Sequence, residues 1–293
     1  MNQPTLNIEN LQLGFKSHVG MSKVLHGISL NIRKGERVAL VGESGSGKSV
    51  TARIILGLLQ TLPTARISGV LEFEGRDLTK LSAKQRHALR GTEMSMIFQD
   101  PTSALNPVYT IAVQFTEVLR RRQPKLKKLL AFEQAAAALR QVAIDEPERV
   151  LNSYSFQLSG GMNQRVMIAM ALINNPTLLI ADEPGTALDV SVQAQTLDLM
   201  HKLVQEHQTS VLFISHNLGV VRDFADRVYV IYKGRIVEEG ATQLLFSNPQ
   251  HPYTQALMSA VPRITGGGIP NIPDVSDRYS DPAYIHPASG GEL

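Results

Sequence analysis

Apolar and polar residues alternate along much of the first hundred residues. Alternating runs lie at 5–13, 24–33, 37–42 and 69–78, and this period of two predicts half-buried β-strands. After the third run, "GKSVTARIILGLL" has the spacing of a helix. A short apolar run, "EMSMIFQD", predicts one more strand. The first hundred residues are therefore predicted to hold several strands around one helix.

The pattern changes twice in the rest of the chain. Residues 101–158 hold almost no strand pattern and predict a mainly helical insert, interrupted at Pro124 and Pro147. From residue 159 strands and helices alternate, which is typical of a parallel α/β sheet. The helices of this part are predicted at 162–173, 191–207 and 217–225, and its strands in "TLLIAD", "SVLFIS" and "RVYVIYKGRIVEEG". The proline- and glycine-rich residues 262–293 predict an extended tail.

The amino-acid composition says little about the fold, but it excludes several kinds of chemistry. A length of 293 residues suggests about two domains, and a net charge of +3 is too small to indicate nucleic acid. The absence of cysteine excludes disulfides, thiolate metal sites and cysteine nucleophiles. The first ten residues do not predict a signal peptide, and no apolar run approaches 18 residues. A role at a membrane would therefore come through a partner.

The segment "GESGSGKS" follows the third apolar strand and opens a helix. It matches G-x-x-x-x-G-K-[ST] in the strand–loop–helix context of a phosphate loop. Glycines let backbone N–H groups surround phosphates, and the helix start adds partial positive charge. Lys48 is predicted to reach the β- and γ-phosphates and Ser49 to coordinate Mg²⁺; a chance glycine turn is the alternative. The predicted phosphate-binding residues are Gly42, Glu43, Ser44, Gly45, Ser46, Gly47, Lys48, Ser49 and Val50.

Two carboxylates end the apolar strand in "TLLIADEP". Side chains at the carboxyl end of a parallel strand face the crevice where ligands bind. Asp182 is predicted to hold Mg²⁺ through water, and Glu183 to poise a water for in-line attack on the γ-phosphate. An acidic turn before Pro184 is the alternative, which the accompanying phosphate loop disfavours.

A second glycine motif, "LSGGMNQR", runs from Leu158 to Arg165. Ser159 can cap a helix that is predicted to begin near Met162. The apolar run "VMIAMALI" predicts that this helix is buried. A plain helix cap would explain the serine without any ligand.

The motifs together resemble the ATP-binding subunit of an ABC transporter. They are the phosphate loop, Gln99 in "MIFQD", "LSGGMNQR", "LLIADE", "ALDV" at 187–190 and His216 in "LFISHN". The resemblance covers residues 5 to about 245. It implies an α/β fold with a P-loop NTPase (RecA-like) core and an antiparallel β subdomain at 1–100 and 159–245, a helical ABC-specific subdomain at 101–158, and a C-terminal extension with a flexible tail at 246–293.

The resemblance also implies roles for single residues. Gln99 would sense Mg²⁺ and the attacking water, so the implied Mg²⁺ set is Ser49, Gln99 and Asp182. Glu183, His216 and Gln99 would be catalytic, with His216 contacting the γ-phosphate. Phe15 would stack on adenine, with plain core packing as the alternative.

In this family two subunits stack head to tail and enclose two ATP molecules. The residues implied to act on the ATP of the neighbouring subunit are Ser159, Gly160, Gly161 and Gln164. Asp189 would lie in the loop that crosses to the opposite subunit. The second glycine motif would then be half of a composite site.

A C-terminal segment narrows the resemblance to one branch. "NPQHPYTQALMSAVP" at 248–262 resembles the motif of peptide-type importers, which handle dipeptides, oligopeptides and nickel, and "GESGSGKSV" resembles the first of their two ATPase subunits. This implies ATP and Mg²⁺ as ligands and hydrolysis that drives uptake. The implied partners are a second ATP-binding subunit, expected to be a different chain, two transmembrane permease subunits and an extracytoplasmic solute-binding protein, with no nucleic acid. The implied location is the cytoplasmic face of the bacterial inner membrane.

Three positions depart from the family pattern. Gly185 stands where threonine is usual, Asn163 where arginine or serine is more usual, and Asn217 where aspartate is common. Many relatives bind an iron–sulfur cluster through a cysteine-rich C-terminal segment; without cysteine, no cluster is expected here. Two other functions stay open: an ABC-type ATPase that serves translation or DNA repair, and an unrelated P-loop kinase or GTPase.

Overall fold

The computed structural model describes residues 3–18, 20–185 and 190–259, and the side chains of 190–192 lie outside that description. The chain divides into two compact units. The first unit combines residues 1–80 with 212–293, and the second consists of residues 81–211.

The strands of the described residues alternate with helices after an initial β-rich segment. They are β1 (Leu6–Ser17), β2 (Gly20–Ile32), β3 (Arg37–Val41), β4 (Ala65–Phe73), β5 (Arg76–Asp77), β6 (Met94–Ile97), β7 (Leu178–Asp182), β8 (Ser210–Ile214), β9 (Arg227–Tyr232) and β10 (Arg235–Ala241).

The helices are mostly short. They are α1 (Lys48–Ile55), α2 (Ala83–Leu89), α3 (Pro101–Ala104), α4 (Ile111–Arg122), α5 (Lys128–Gln141), α6 (Pro147–Leu151), α7 (Gly160–Leu172), α8 (Val190–His207), α9 (Leu218–Phe224), α10 (Thr242–Ser247) and α11 (Pro252–Ser259). In the described part of the chain no helix has the length and apolar character needed to cross a bilayer.

The first unit contains an antiparallel sheet of order β2-β1-β4-β5. Leu6 pairs with Ile32 on one side and with Phe73 on the other, and all three side chains are fully buried. The alternation of apolar and polar residues in β1 therefore places one face of the sheet against the core, as its period of two predicts.

The same unit contains strands ordered β10-β9-β3-β8. β3 runs parallel to β9, with Val38 opposite Arg227 and Val41 opposite Val230. Val38 to Val41 are completely buried. Their continuous apolar sequence is typical of a parallel strand that is covered on both faces.

A polar cluster closes one end of β9. Arg227 donates from Nε to Glu36 at 2.9 Å and from Nη1 to the Tyr229 hydroxyl oxygen at 2.6 Å. That oxygen also accepts the backbone N–H of Asn31 at 3.2 Å. Burial raises the pKa of Tyr229 to about 12, so its side chain is a neutral phenol that ties β9 to the end of β2.

The second unit is mainly helical around the parallel pair β6 and β7, in which Met94 lies opposite Leu178. Phe115 on α4, Leu139 on α5 and Val166 on α7 are fully buried and form part of its core. The described residues between 101 and 158 contain helices and turns and no strand. The predicted burial of the helix after Ser159 is confirmed, although α7 begins at Gly160, two residues before the predicted start.

Candidate functional site

The loop between β3 and α1 needs glycine at two positions for steric reasons. Gly42 has a φ of 156°, and a Cβ there would lie 2.1 Å from the carbonyl oxygen of Ile231. Gly47 has a φ of 111°, and its Cβ would lie 2.6 Å from Leu25 Cδ2. Both separations are far shorter than van der Waals contact, so the loop packs against β9 at Gly42 and against β2 at Gly47 with no space for a side chain at either position.

Lys48 is folded back into this loop. Its side chain is 5% exposed, and its Nζ donates to the carbonyl oxygens of Gly42 and Glu43, both at 2.8 Å. Glu43, Ser44 and Gly45 are exposed, whereas Ser46, Gly47 and Lys48 are buried. The ammonium group is thus fixed beneath an open rim of backbone, where phosphate oxygens can replace the carbonyls as its acceptors.

Two contacts brace the loop from residues that are distant in sequence. The backbone N–H of Gly234, in the turn between β9 and β10, donates to the Ser46 carbonyl at 3.0 Å. The backbone N–H of Glu43 donates to the hydroxyl oxygen of Tyr253 at 3.0 Å. Sequence reasoning missed both residues, because neither belongs to a nucleotide-binding motif.

In the second unit, three predicted residues lie near the carboxyl end of β7. Asp182 ends the strand and is 6% exposed. Glu183 follows with a φ of 49°, a left-handed conformation that is uncommon outside glycine, asparagine and aspartate. Its Oε2 accepts a hydrogen bond from Gln99 Nε2 at 2.8 Å, across 84 positions of sequence. The structure therefore brings Gln99 and Glu183 together, as a functional pair would require.

The serine of the second glycine motif caps α7, as predicted. The Met162 N–H donates to Ser159 Oγ at 3.3 Å. Ser159 and Gly160 are exposed, and Gly161 is partly exposed. This helix start can therefore be reached by another molecule.

Two later residues of the motif, Asn163 and Gln164, are buried. Asn163 Nδ2 donates to the Ser155 carbonyl at 2.9 Å and joins α7 to the 3₁₀ turn before it. Gln164 is fully buried, and within the described residues neither of its amide atoms has a hydrogen-bond partner. Its side chain would have to leave the core to touch a neighbour's nucleotide, so that role stays a prediction.

The remaining predicted residues belong to the first unit or lie outside the described residues. His216 is exposed after β8, and Asn217 caps α9 by accepting from the N–H groups of Gly219 at 3.1 Å and Val220 at 3.4 Å. Phe15 is partly buried in β1, opposite Ser22 and Ala65, and adenine stacking stays a prediction. Asp189 lies outside the described residues.

Comparison with known proteins identifies the family. A model described as "ABC transporter" matches residues 25–186, more than half of the chain. The chain belongs to the ABC transporter family. A second model, "Oligopeptide/dipeptide transporter, C-terminal region", matches residues 237–283.

Curated relatives and solved structures agree with this assignment. The chain is 46% identical over 263 residues to the oligopeptide transport ATP-binding protein OppD of Bacillus subtilis (strain 168), covering 90% of this chain and 73% of that protein. It is 47% identical to AppD of the same organism, over 89% of this chain and 79% of AppD. The dimeric post-hydrolysis structure of the ATP-binding cassette MJ0796, bound to ADP and Pi, has a TM-score of 0.71 and 28% identity, over 81% of this chain and 98% of that cassette.

These comparisons decide several predictions. The P-loop NTPase fold, the ABC-type ATPase activity and ATP as the nucleotide are confirmed. The alternative of an unrelated P-loop kinase or GTPase is wrong, because the family match includes both the phosphate loop and the strand that ends at Asp182.

Proposed function

We propose that this chain drives the uptake of peptides, or of a related small solute, by hydrolysing ATP as a subunit of a membrane importer. The C-terminal match over residues 237–283 is the observation that carries the transport branch. The names of OppD and AppD, which are oligopeptide transport ATP-binding proteins, support the same substrate class.

In this proposal the loop from Gly42 to Val50 binds the ATP phosphates. Lys48 exchanges the carbonyls of Gly42 and Glu43 for phosphate oxygens as its acceptors. N–H groups at the start of α1 donate further hydrogen bonds to the phosphates. Residues 1–100 and 159–245 would form the ATP-binding core, residues 101–158 a helical subdomain and residues 246–293 an extension.

The residues proposed to hold Mg²⁺ are Ser49, Gln99 and Asp182. All three offer oxygen ligands, which this cation prefers. Because the amide nitrogen of Gln99 donates to Glu183, its Oε1 is the atom that can face a cation. When bound, Mg²⁺ would neutralise charge on the phosphates.

Glu183 is proposed to orient and deprotonate the attacking water. Gln99 fixes one oxygen of this carboxylate, and the carboxylate is proposed to accept a proton from the water. His216 would support this step by contacting the γ-phosphate. The left-handed backbone at Glu183 sets the direction of the carboxylate, and such strain is commonly retained at functional sites.

Hydrolysis is proposed to occur between two subunits stacked head to tail. Ser159, Gly160, Gly161 and Gln164 would act on the neighbour's ATP, and Asp189 would lie in the loop that crosses between subunits. The exposed start of α7 supports this arrangement. The further partners are two permease subunits and a solute-binding protein, with the chain on the cytoplasmic face of the inner membrane.

The substitution Glu183→Gln tests the proposed base. The amide cannot accept a proton from water, so we expect ATP turnover to fall about 100-fold or more while ATP binding is retained. The control is Glu206→Gln on α8, which removes an exposed carboxylate and should hydrolyse ATP at the wild-type rate. Wild-type turnover in the Glu183 variant would exclude this assignment.

Purification from membranes tests the transport role. A tagged chain should copurify with permease subunits and a second ATP-binding subunit, and its deletion should abolish uptake of radiolabelled oligopeptides by cells. Copurification with ribosomes or DNA instead would favour the alternative function in translation or repair.

A further inference from the structure

Tyr253 joins the C-terminal segment of the first unit to the phosphate loop. Its hydroxyl oxygen accepts the backbone N–H of Glu43 at 3.0 Å, across 210 positions of sequence. Its side chain is only 3% exposed. The contact therefore joins a buried side chain to the exposed rim of the loop.

The ring of Tyr253 is fixed by packing. It lies against the ring of Tyr232 at a centroid distance of 4.3 Å and an interplanar angle of 33°. Burial raises the pKa of Tyr253 to about 12. The side chain is therefore a neutral phenol at physiological pH, held by the strand that also contacts Gly42 through Ile231.

The backbone around Tyr253 is anchored by a buried carboxylate. Glu238 on β10 is 5% exposed and accepts the N–H groups of Gln250 at 2.8 Å and His251 at 3.0 Å. His251 Nδ1 in turn accepts the N–H of Tyr253 at 3.1 Å. The start of α11 is thereby fixed relative to β10, and with it the position of the hydroxyl.

Glu43 is held at both ends of its backbone. Its N–H donates to Tyr253, whereas its carbonyl accepts from Lys48 Nζ at 2.8 Å. Any rotation of this part of the loop would move the carbonyl that orients Lys48. The hydroxyl of Tyr253 therefore helps to position the ammonium group of Lys48 indirectly, through the backbone of Glu43.

We infer that Tyr253 is a positioning residue for nucleotide binding, which holds the rim of the phosphate loop in its binding conformation. The inference rests on the proposed role of the loop around Lys48 in binding ATP phosphates. Without the hydroxyl, the loop samples conformations that cannot bind, and nucleotide affinity falls in proportion to the competent fraction. A typical hydrogen bond corresponds to about a three- to tenfold change.

The test compares four variants of the full chain, of which the fourth, Glu238→Gln, weakens the anchor of α11. Tyr253→Phe removes the hydroxyl and keeps the ring. Tyr229→Phe is the matched control, because its buried hydroxyl also accepts a backbone N–H, that of Asn31, but contacts no residue of the phosphate loop in the described structure. Lys48→Ala removes the proposed phosphate ligand. The dissociation constant of ATP with Mg²⁺ is measured by calorimetry, and the amide proton of Glu43 is followed by NMR.

We expect Tyr253→Phe to weaken ATP binding about three- to tenfold, to raise KM more than it lowers kcat, and to shift the Glu43 amide resonance upfield. Tyr229→Phe should leave the ATP affinity, the kinetic constants and the Glu43 amide resonance unchanged, even where it lowers the Tm. Glu238→Gln, which weakens the anchor of α11, should shift ATP affinity in the same direction by a smaller factor.

The outcomes separate this inference from the proposal on which it rests. If Lys48→Ala binds ATP as tightly as wild type, the proposed phosphate site is wrong. If Lys48→Ala loses binding but Tyr253→Phe binds like wild type, only the role of Tyr253 is overturned. Equal losses in Tyr253→Phe and Tyr229→Phe would also overturn it, because the effect would then be general destabilisation.

Discussion

Two of the three residues that follow β7 have left-handed backbones. Glu183 has a φ of 49° and Gly185 a φ of 93°. For the glutamate this conformation costs on the order of 1 kcal/mol, and the hydrogen bond to Gln99 helps to hold the side chain in place. At residue 185 glycine adopts the left-handed conformation without this cost.

The substitution Gly185→Ala should be destabilising. Its Cβ would lie 3.0 Å from Gln193 Cγ in an unfavourable backbone conformation, so we expect a loss of about 1–2 kcal/mol in the free energy of unfolding. Gly240→Ala is the control, because its Cβ would meet Leu245 at an ordinary 3.8 Å. Urea denaturation measures both, and equal stabilities would show that residue 185 is not strained.

At the scale of elements, α11 depends on a neutral histidine. Burial lowers the pKa of His251, while the nearby Glu238 carboxylate acts to raise it. The unfolded chain therefore binds the proton more readily, and the contribution of neutral His251 to stability is lost as pH falls below about 6.5. Protonation of Nδ1 would also remove the acceptor for the Tyr253 N–H.

Between pH 7.5 and pH 5.5, we therefore expect the Tm of the wild type to fall by roughly 2 °C more than the Tm of His251→Asn falls. Asparagine can place an oxygen near the position of Nδ1 but does not titrate. His26, whose pKa burial also lowers, is present in both proteins and cancels in the comparison. Identical pH dependence in scanning calorimetry would contradict the prediction.

The cap of α9 gives a second test of element stability. Asn217 accepts two N–H groups at the start of this helix, a role that aspartate fills equally well. Asn217→Asp should therefore retain stability, whereas Asn217→Ala should lose about 1 kcal/mol. Chemical denaturation of the three proteins would show whether the departure at this position is neutral for the fold.

The elements show which features the sequence could predict. The pattern of apolar residues predicted the strands from β1 to β3 and the helix α7. A strand with one buried face has alternating apolar residues, and a helix buried on all faces has a continuous apolar run. The helix α2 was missed, although Ser82 and Gln85 form a capping box that could have indicated it. The contact of Tyr253 could not be predicted, because it joins residues 210 positions apart in sequence.

At the scale of the whole molecule, Ser159 tests the composite site. Ser159→Arg places a bulky cation at the exposed start of α7, so we expect ATP hydrolysis in the assembled transporter to fall by about tenfold or more while ATP binding at the proposed site around Lys48 is unchanged. Because the substitution also removes a helix cap, Ser82→Arg is the control: it removes the cap of α2 and should retain hydrolysis. Loss of hydrolysis in both variants would count against the composite site.

The residues that pack against the phosphate loop lie much later in the chain. Ile231 and Gly234 contact Gly42 and Ser46, and Tyr253 contacts Glu43. During synthesis at about 5–20 residues per second, these residues emerge on the order of 10–40 s after the loop itself. A nascent chain that ends before Ile231 therefore contains the predicted phosphate loop but lacks the surface against which this loop packs. We expect such a chain to bind nucleotide more weakly than one in which Tyr253 has already emerged and packed.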